Sequence, residues 1–233
     1  MSRRKIVFVI VEGPSDDEAL ALSLSKIFDK DSVYVHVVHG DITSKGGVTP
    51  ENIESKITEI VREYANSSRF KRTDFREVIH IADTDGAFIP EDRIVEDKTL
   101  RKIQYSTFEI RAVSRDSIVA RNRQKQANIN ALVKFKTVWK TVTYSIYYMS
   151  CNLDHVLHNR LNCTSNEKER NAISFARKYK DNTYAFTNYI ARSGFSVTDG
   201  YIESWNFIRK DTRSLERYTN LGIRLLKEYK NKK

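Results

Sequence analysis

The feature that most constrains the fold is an unbroken apolar run near the start of the chain. Residues 5–11 (KIVFVIV) are almost entirely β-branched or aromatic, which is typical of a strand buried on both faces of a parallel sheet. A turn at residues 12–14 follows, and Ser15 and Glu18 then have the spacing of a helix-capping box. The sequence therefore predicts a strand, a tight turn and a helix in succession.

This alternation is repeated along the first part of the chain. Further strands are predicted at residues 32–38, 77–82 and 142–149, with helices after residue 15 and after the Thr49-Pro50 pair. Alternating strands and helices predict an α/β fold, namely a Rossmann-like parallel sheet with helices on both faces. Residues 91–140 are too long for a simple crossover and are interpreted as a basic insertion. We expect a domain over 1–155 and a helical C-terminal extension over 156–233, with helices at 166–180, 183–192 and 214–230.

Charge is distributed unevenly over the 233 residues, whose net charge is +10. Residues 1–97 carry 13 Lys/Arg and 19 Asp/Glu, a balance of −6, whereas residues 98–233 carry 27 and 11, a balance of +16. An acidic part beside a basic part suggests a metal site next to a surface that binds a polyanion. The 8 Gly and 3 Pro argue against collagen-like and low-complexity chains.

Several features of the sequence bear on the cellular location of the protein. The longest apolar run, residues 6–11, is far shorter than the roughly 20 residues that a membrane span needs. Arg3, Arg4 and Lys5 precede it, but Glu12 ends it too early for a signal peptide. The two cysteines form neither a zinc pattern nor a disulfide framework, so we expect a cytoplasmic protein without a membrane partner.

Three acidic residues follow predicted strands. Glu12 comes directly after the first strand, and Asp83 and Asp85 come after the third. Ligands of parallel α/β sheets lie at the carboxyl ends of the strands, and residues two apart in extended backbone point to the same side. We therefore expect the three carboxylates to meet around Mg²⁺, with Mn²⁺ as a substitute, and to cleave a phosphodiester bond.

The same residues support a family resemblance. Residues 11–20 (VEGPSDDEAL) resemble the first motif of the Toprim family, and residues 79–86 (IHIADTDG) resemble its DxD motif. The resemblance covers roughly residues 5–90 and the strand at 142–149. It implies that Glu12 is a general acid/base or a metal ligand, that Asp83 and Asp85 bind Mg²⁺, and that Asp16 helps to hold a second metal.

The resemblance also implies a class of activity. No topoisomerase tyrosine domain or primase zinc module fits in this chain, which leaves the stand-alone members and the overcoming-lysogenization-defect nucleases. Such members often act in phage defence beside a separate ATPase or sensor, and this chain has no GxxxxGK[ST] motif of its own. The sequence leaves open whether the substrate is DNA, RNA or tRNA, and whether one or two metals bind.

Other residues are candidates of lower rank. Asp154 and His155 follow the fourth strand at the same sheet edge and are candidates to join the metal site. Arg121, Arg123 and Lys125, in the basic insertion, are candidates to bind a nucleic-acid backbone. The alternative for these three cations is a solvated helix face.

Two other functions compete with the nuclease. A haloacid-dehalogenase-like phosphatase would use residues 83–86 (DTDG) as its nucleophile motif, but Ala87 stands where that motif prefers Thr, and no later strand ends in paired aspartates. A catalytically silent module would bind nucleic acid through the basic half of the chain or dock a partner through the helical tail. Steeply salt-dependent binding without turnover would favour this last hypothesis.

Overall fold

Strands and helices alternate in the first 83 residues, and helices dominate after residue 150. The computed structural model describes residues 4–28, 31–37 and 41–230. In chain order the elements are β1 (Ile6–Val11), α1 (Pro14–Ile27), β2 (Ser32–Val37), α2 (Ile53–Ser67), β3 (Phe75–Asp83), β4 (Ile94–Glu96), β5 (Gln104–Tyr105), β6 (Ile110–Ala112), α3 (Arg115–Leu132), β7 (Thr137–Val138), β8 (Val142–Met149), α4 (Leu153–His158), α5 (Ser165–Tyr179), α6 (Thr183–Arg192), α7 (Tyr201–Ile208) and α8 (Gly222–Lys230).

The central sheet has five strands in the order β2-β1-β3-β8-β7. Its first four strands are parallel, and β7 pairs with β8 as an antiparallel edge strand. The prediction of a mixed α/β fold with a mostly parallel, Rossmann-like sheet is confirmed. The predicted end of the second strand, Val38, lies outside the described residues.

Helices cover both faces of this sheet, which explains why every residue of β1 is buried. The side chains of Val7, Val9 and Val11 pack in one cluster with α1, α5, α6 and α8, while Phe8 and Ile10 pack in another with α2, α3 and α7. Each such side chain contributes about 1.5–3 kcal/mol when fully buried. The uniform apolar run is therefore the sequence signature of a strand with no solvent face.

The N-cap of the first helix lies two residues earlier than predicted. Gly13 is the N-cap, Pro14 occupies the first helical position, and Asp16 accepts a hydrogen bond from the Gly13 N–H at 2.9 Å through Oδ2. The predicted capping box of Ser15 and Glu18 is wrong, because Pro14 at N1 makes Asp16 the N3 residue. This start turns Asp16 back toward the end of β1.

Residues 91–140 contain a second, three-stranded sheet in the order β4-β6-β5, followed by α3 and β7. A small apolar cluster holds this sheet to the start of α3 and to Leu215. Helix α3 begins at Ser114, whose Oγ accepts a hydrogen bond from the Ser117 N–H. The long interval between β3 and β8 therefore contributes a helix to one face of the main sheet.

The helical part after residue 156 differs from the prediction at its end. The predicted helix over 214–230 begins only at Gly222, and α7 lies outside the three predicted helical ranges. Thr219 forms β-bridges with Met149 and Ser196, so the backbone before α8 is extended rather than helical. Across the described residues, no helix combines the length and the hydropathy needed to cross a bilayer.

Candidate metal centre

Glu12 and Asp83 meet where two neighbouring strands end. Glu12 follows β1, Asp83 is the last residue of β3, and the two strands pair in parallel. The main-chain N–H of Asp83 donates a hydrogen bond to Glu12 Oε1 at 3.0 Å. The structure thus brings together the acid that follows β1 and the acid that ends β3, which lie 71 residues apart.

Asp85 also lies at this sheet edge, but its backbone conformation differs from the predicted extended one. Its backbone is left-handed, with φ of 47°, so it does not continue the extended strand in which alternate side chains share a side. The Asp85 N–H donates to the carbonyl of Cys151 at 2.8 Å, and the buried Thr84 hydroxyl accepts from the Cys151 N–H and donates to the Ser214 carbonyl. The loop after β3 is therefore fixed to the end of β8.

A fourth acid at this sheet edge, Asp41, is not among the predicted site residues. It lies just after β2, the neighbour of β1, and one carboxylate oxygen each from Glu12, Asp41 and Asp85 lies within 4.8 Å of the others. We call these three residues the inner triad, and their spacing could hold a metal ion. The signal that could have found Asp41 is the same strand-end position that identified Glu12 and Asp83.

The carboxylate of Asp41 is strongly held. It accepts hydrogen bonds from the Thr43 N–H at 2.7 Å and from the Ser44 hydroxyl at 2.6 Å. Burial opposes its ionisation, but the charge and hydrogen bond of Lys125 and the bonds from Ser44 and Thr43 outweigh this and lower the pKa of Asp41 to about 2. Asp41 is therefore ionised at neutral pH.

Lys125 of α3 lies inside the inner triad. Its Nζ is 2.6 Å from Asp85 Oδ2, 2.8 Å from Asp41 Oδ2 and 3.8 Å from Glu12 Oε1, and its side chain is 0% exposed. Burial disfavours the charged form, but the carboxylates of Asp85, Glu12 and Asp41 overcome this and raise the pKa of Lys125 well above its usual range. The structure places this ammonium among carboxylates, and not on a surface that contacts a nucleic-acid backbone.

The other two predicted nucleic-acid-binding residues differ in exposure. Arg121 turns inward and donates from Nη2 to the Asp85 carbonyl at 2.9 Å and from Nη1 to the Tyr105 hydroxyl at 2.9 Å. Arg123 is 69% exposed and pairs with Glu91, with Nε 2.7 Å from Oε1. Of the three predicted contacts, only Arg123 presents its charge to solvent.

Helix α3 fastens the loops after β2 and β3 with polar side chains. This explains why the helix is rich in Asn, Gln, Arg and Lys although much of it is buried. Buried carbonyls without partners would be costly, and these side chains satisfy them. The bonds run from Arg121 to the Asp85 carbonyl, from Asn122 to Gly86, from Gln126 to Ala87, from Asn128 to Thr43 and Val48, and from Gln124 to Lys45 and Val48.

Asp16 and Asp83, which we call the outer pair, are two further acids near the ends of β1 and β3. The two interact closely enough that the charge of Asp16 helps to raise the pKa of Asp83. Burial is the larger cause for both residues; it raises the pKa of Asp16 to about 6 and that of Asp83 well above its usual range. Lys168 of α5 opposes both shifts.

The two candidates after β8, Asp154 and His155, lie in different surroundings. Asp154 lies near Asp16, whose pKa it helps to raise, and its Oδ1 accepts a hydrogen bond from Asn171 Nδ2 at 2.8 Å. His155 is buried, and burial lowers its pKa to about 4. Asp154 is therefore adjacent to the outer pair, whereas the ring of His155 is a neutral core group at neutral pH.

The charge balance of this sheet edge bears on whether a cation fits. Burial, together with the neighbouring charges of Asp41, Asp83 and Asp85, raises the pKa of Glu12 well above its usual range, although Lys125 opposes this shift. Six acids lie in or beside the cluster, namely Glu12, Asp16, Asp41, Asp83, Asp85 and Asp154. In the described part of the chain, Lys125 is the one lysine or arginine that forms ion pairs with them. A divalent ion would neutralise the excess with the oxygen ligands that Mg²⁺ prefers, so the donor set fits such an ion.

A cavity lies beside the start of α1. It has a volume of about 570 Å³, lies between the first turns of α1 and α5, and is lined by Gly13, Ser15 and Lys168 among other residues. A comparison with protein-family models, with curated proteins and with solved structures finds no match to this chain.

Proposed function

We propose that the protein is a Mg²⁺-dependent nuclease that hydrolyses phosphodiester bonds of nucleic acid. The observation that carries the proposal is the contact between Glu12 and Asp83 at the adjoining ends of β1 and β3, with Asp85 and Asp16 beside them. Buried carboxylates with raised pKa values are costly unless a proton or a cation neutralises them. The resemblance of residues 11–20 and 79–86 to the Toprim motifs supports the same conclusion.

The residues of this chain have separable tasks in that reaction. Asp83, Asp16 and Glu12 would hold Mg²⁺, which supplies charge stabilisation for the phosphate and the leaving oxygen when bound. Glu12 accepts the Asp83 N–H on Oε1, so Oε2 is the oxygen left either to bind the ion or to exchange a proton with the substrate or with water. Burial raises the pKa of Glu12, which brings proton exchange closer to neutral pH.

The substrate class follows from charge. Residues 98–233 carry a balance of +16, and polyanions bind such surfaces by releasing counterions. Arg123 remains the candidate backbone contact, because Lys125 and Arg121 are engaged inside the fold. We further propose, from the family resemblance, that the chain acts in the cytoplasm as a phage-defence effector beside a separate ATPase or sensor; Cys151 and Cys163 are both free, as in a reducing compartment.

The test is metal-dependent cleavage of plasmid DNA, single-stranded DNA, RNA and tRNA by the purified chain, with Mg²⁺, Mn²⁺ or EDTA. We expect Glu12→Gln and Asp83→Asn each to reduce cleavage by at least about 100-fold. Glu54→Gln and Asp92→Asn are the matched controls, because they make the same chemical changes at exposed positions away from the site. Cleavage that persists in both site variants would refute the proposal.

A second function, binding without catalysis, is favoured by one observation. Lys125 already neutralises part of the inner triad, so the cluster holds a cation without any metal. In that case the chain would bind nucleic acid with a steep salt dependence and show no turnover with any divalent ion. Cleavage that needs Glu12 and Asp83 would exclude this alternative.

A further inference from the structure

We propose that Lys125 is the permanent cation of the inner triad, and that the site consequently binds a single divalent ion on the side of the outer pair. This inference rests on the proposed metal-dependent function and specifies its metal content. A two-ion clamp is a common arrangement in enzymes that cleave phosphodiesters. Here a side chain of the protein would take the place of one of the two ions.

The first support is the position of the ammonium group. Lys125 Nζ lies within 3 Å of both Asp85 Oδ2 and Asp41 Oδ2, and Glu12 Oε1 is 3.8 Å away. These are the residues whose oxygens have the mutual spacing of a metal site. An ammonium has three donors and no acceptor, so it satisfies the carboxylates that a divalent ion would otherwise bind.

The second support is that the surrounding fold confines the Lys125 side chain. Its side chain is fully buried, and α3 is fixed on either side of it by the bonds of Asn122 to the Gly86 carbonyl and of Asn128 to the Thr43 carbonyl. A divalent ion entering the inner triad would have to push a charged group into the protein interior, which is strongly unfavourable.

The third support is the contrast with the outer pair. Within residues 4–28, 31–37 and 41–230, neither Asp16 nor Asp83 forms an ion pair with a lysine or arginine side chain. Lys125 pairs instead with Asp85 and Asp41. The carboxylates of Asp16 and Asp83 are therefore open to the divalent ion that the proposed function places there.

The test counts ions. Mn²⁺ is titrated into metal-free protein, and bound Mn²⁺ is measured by electron paramagnetic resonance and by calorimetry. We expect about one Mn²⁺ per chain for the wild type and about two for Lys125→Gln, because the inner triad then lacks its cation. Lys125→Arg preserves the charge and should return the count to about one. Adding Asp41→Asn to Lys125→Gln should abolish the second ion and leave the first.

A second variant keeps the inference testable if Lys125→Gln does not fold. Asp41→Asn alone removes an inner-triad ligand but no outer one, so we expect the wild-type count and an affinity within about 2-fold of wild type, whereas Asp83→Asn should weaken binding by at least about 10-fold. Two ions in the wild type, one of them lost in Asp41→Asn, would overturn the inference while leaving a metal-dependent nuclease intact. An unchanged count of one in folded Lys125→Gln would also overturn it. No bound Mn²⁺ together with no metal-dependent cleavage would instead remove the proposed function itself.

Discussion

The main-chain N–H of Asp83 donates a hydrogen bond to Glu12 Oε1 at 3.0 Å, and this bond joins the ends of β1 and β3. The two oxygens of the Glu12 carboxylate are therefore not equivalent. Oε1 accepts a backbone hydrogen bond, and Oε2 is the oxygen available for the proposed reaction. Because of this bond, Glu12 contributes both to the stability of the fold and to the candidate metal site. Substitutions at this position should therefore separate the two roles.

We expect Glu12→Gln and Glu12→Ala to differ in stability although both abolish cleavage. Glutamine keeps an oxygen that can accept the Asp83 N–H, and it removes a buried charge. Alanine leaves that N–H without a partner, which costs about 1–3 kcal/mol. Urea unfolding in EDTA measures the difference. Equal stability of the two variants would show that the hydrogen bond contributes nothing to the fold.

The loop after β3 should be intolerant of a side chain at Gly86. Its φ is 67°, and a Cβ placed there would lie 2.4 Å from Leu215 Cδ2. We expect Gly86→Ala to lower the free energy of unfolding by about 1–3 kcal/mol, because left-handed backbone and a close contact both disfavour it.

Gly46→Ala is the matched control for that substitution. A Cβ at Gly46 meets no atom within 4 Å, and its backbone is not left-handed. We expect a change in the free energy of unfolding of no more than about 1 kcal/mol. A destabilisation as large as that of Gly86→Ala would mean that the strain at Gly86 is not what matters.

The parts of this molecule that the sequence predicted share one property: their signals are local. The apolar run of β1 predicts a strand buried on both faces, and the strand-end position predicts that Glu12 and Asp83 meet at one edge. The loss of a helix over 214–221 is a tertiary effect, because the bridge of Thr219 to Met149 competes with helix formation there. No local pattern in that segment reveals a partner some 70 residues away.

The place of Lys125 inside the inner triad was beyond sequence reasoning for a related reason. Lysine is almost always exposed, so Lys125 in a basic segment predicts a surface contact, and only its distances to Asp41 and Asp85 show otherwise. The polar side of α3 has the same explanation, since its side chains bind loop carbonyls rather than water. The position of the Asp85 side chain likewise depends on the left-handed backbone of this residue, which the sequence DTDG permits but does not require.

Arg121 and Arg123 lie two residues apart on α3, but substituting them should affect stability differently. Arg121 holds the Asp85 carbonyl, so Arg121→Ala should lower the free energy of unfolding by about 1–3 kcal/mol, because it leaves a buried carbonyl without its donor. Arg123 is exposed and pairs only with Glu91 among the described residues, so Arg123→Ala should change the free energy of unfolding by less than about 1 kcal/mol.

Nucleic-acid binding distinguishes the same two variants. If Arg123 contacts the backbone, Arg123→Ala should weaken binding to all sequences and reduce the salt slope of log K by about 1. Fluorescence anisotropy with a labelled oligonucleotide between low and moderate salt measures both quantities. An unchanged slope in Arg123→Ala would remove this residue from the binding surface and direct attention to other exposed cations of the basic half.

The buried ring of His80 should make the fold sensitive to mild acid. His80 lies on β3, its Nδ1 is 2.8 Å from the Tyr144 hydroxyl, and burial lowers its pKa to about 4, against an ordinary value of 6.5. The unfolded chain therefore binds a proton at a higher pH than the folded chain does, so the stability due to His80 is complete above about pH 6.5 and is lost as the pH falls toward 4. Between pH 7.5 and 5.0 this loss amounts to about 2 kcal/mol. In urea unfolding with EDTA, His80→Gln should show a pH-dependent loss smaller by that amount than wild type, because glutamine does not titrate; an equal loss in both proteins would mean that other groups account for the acid sensitivity.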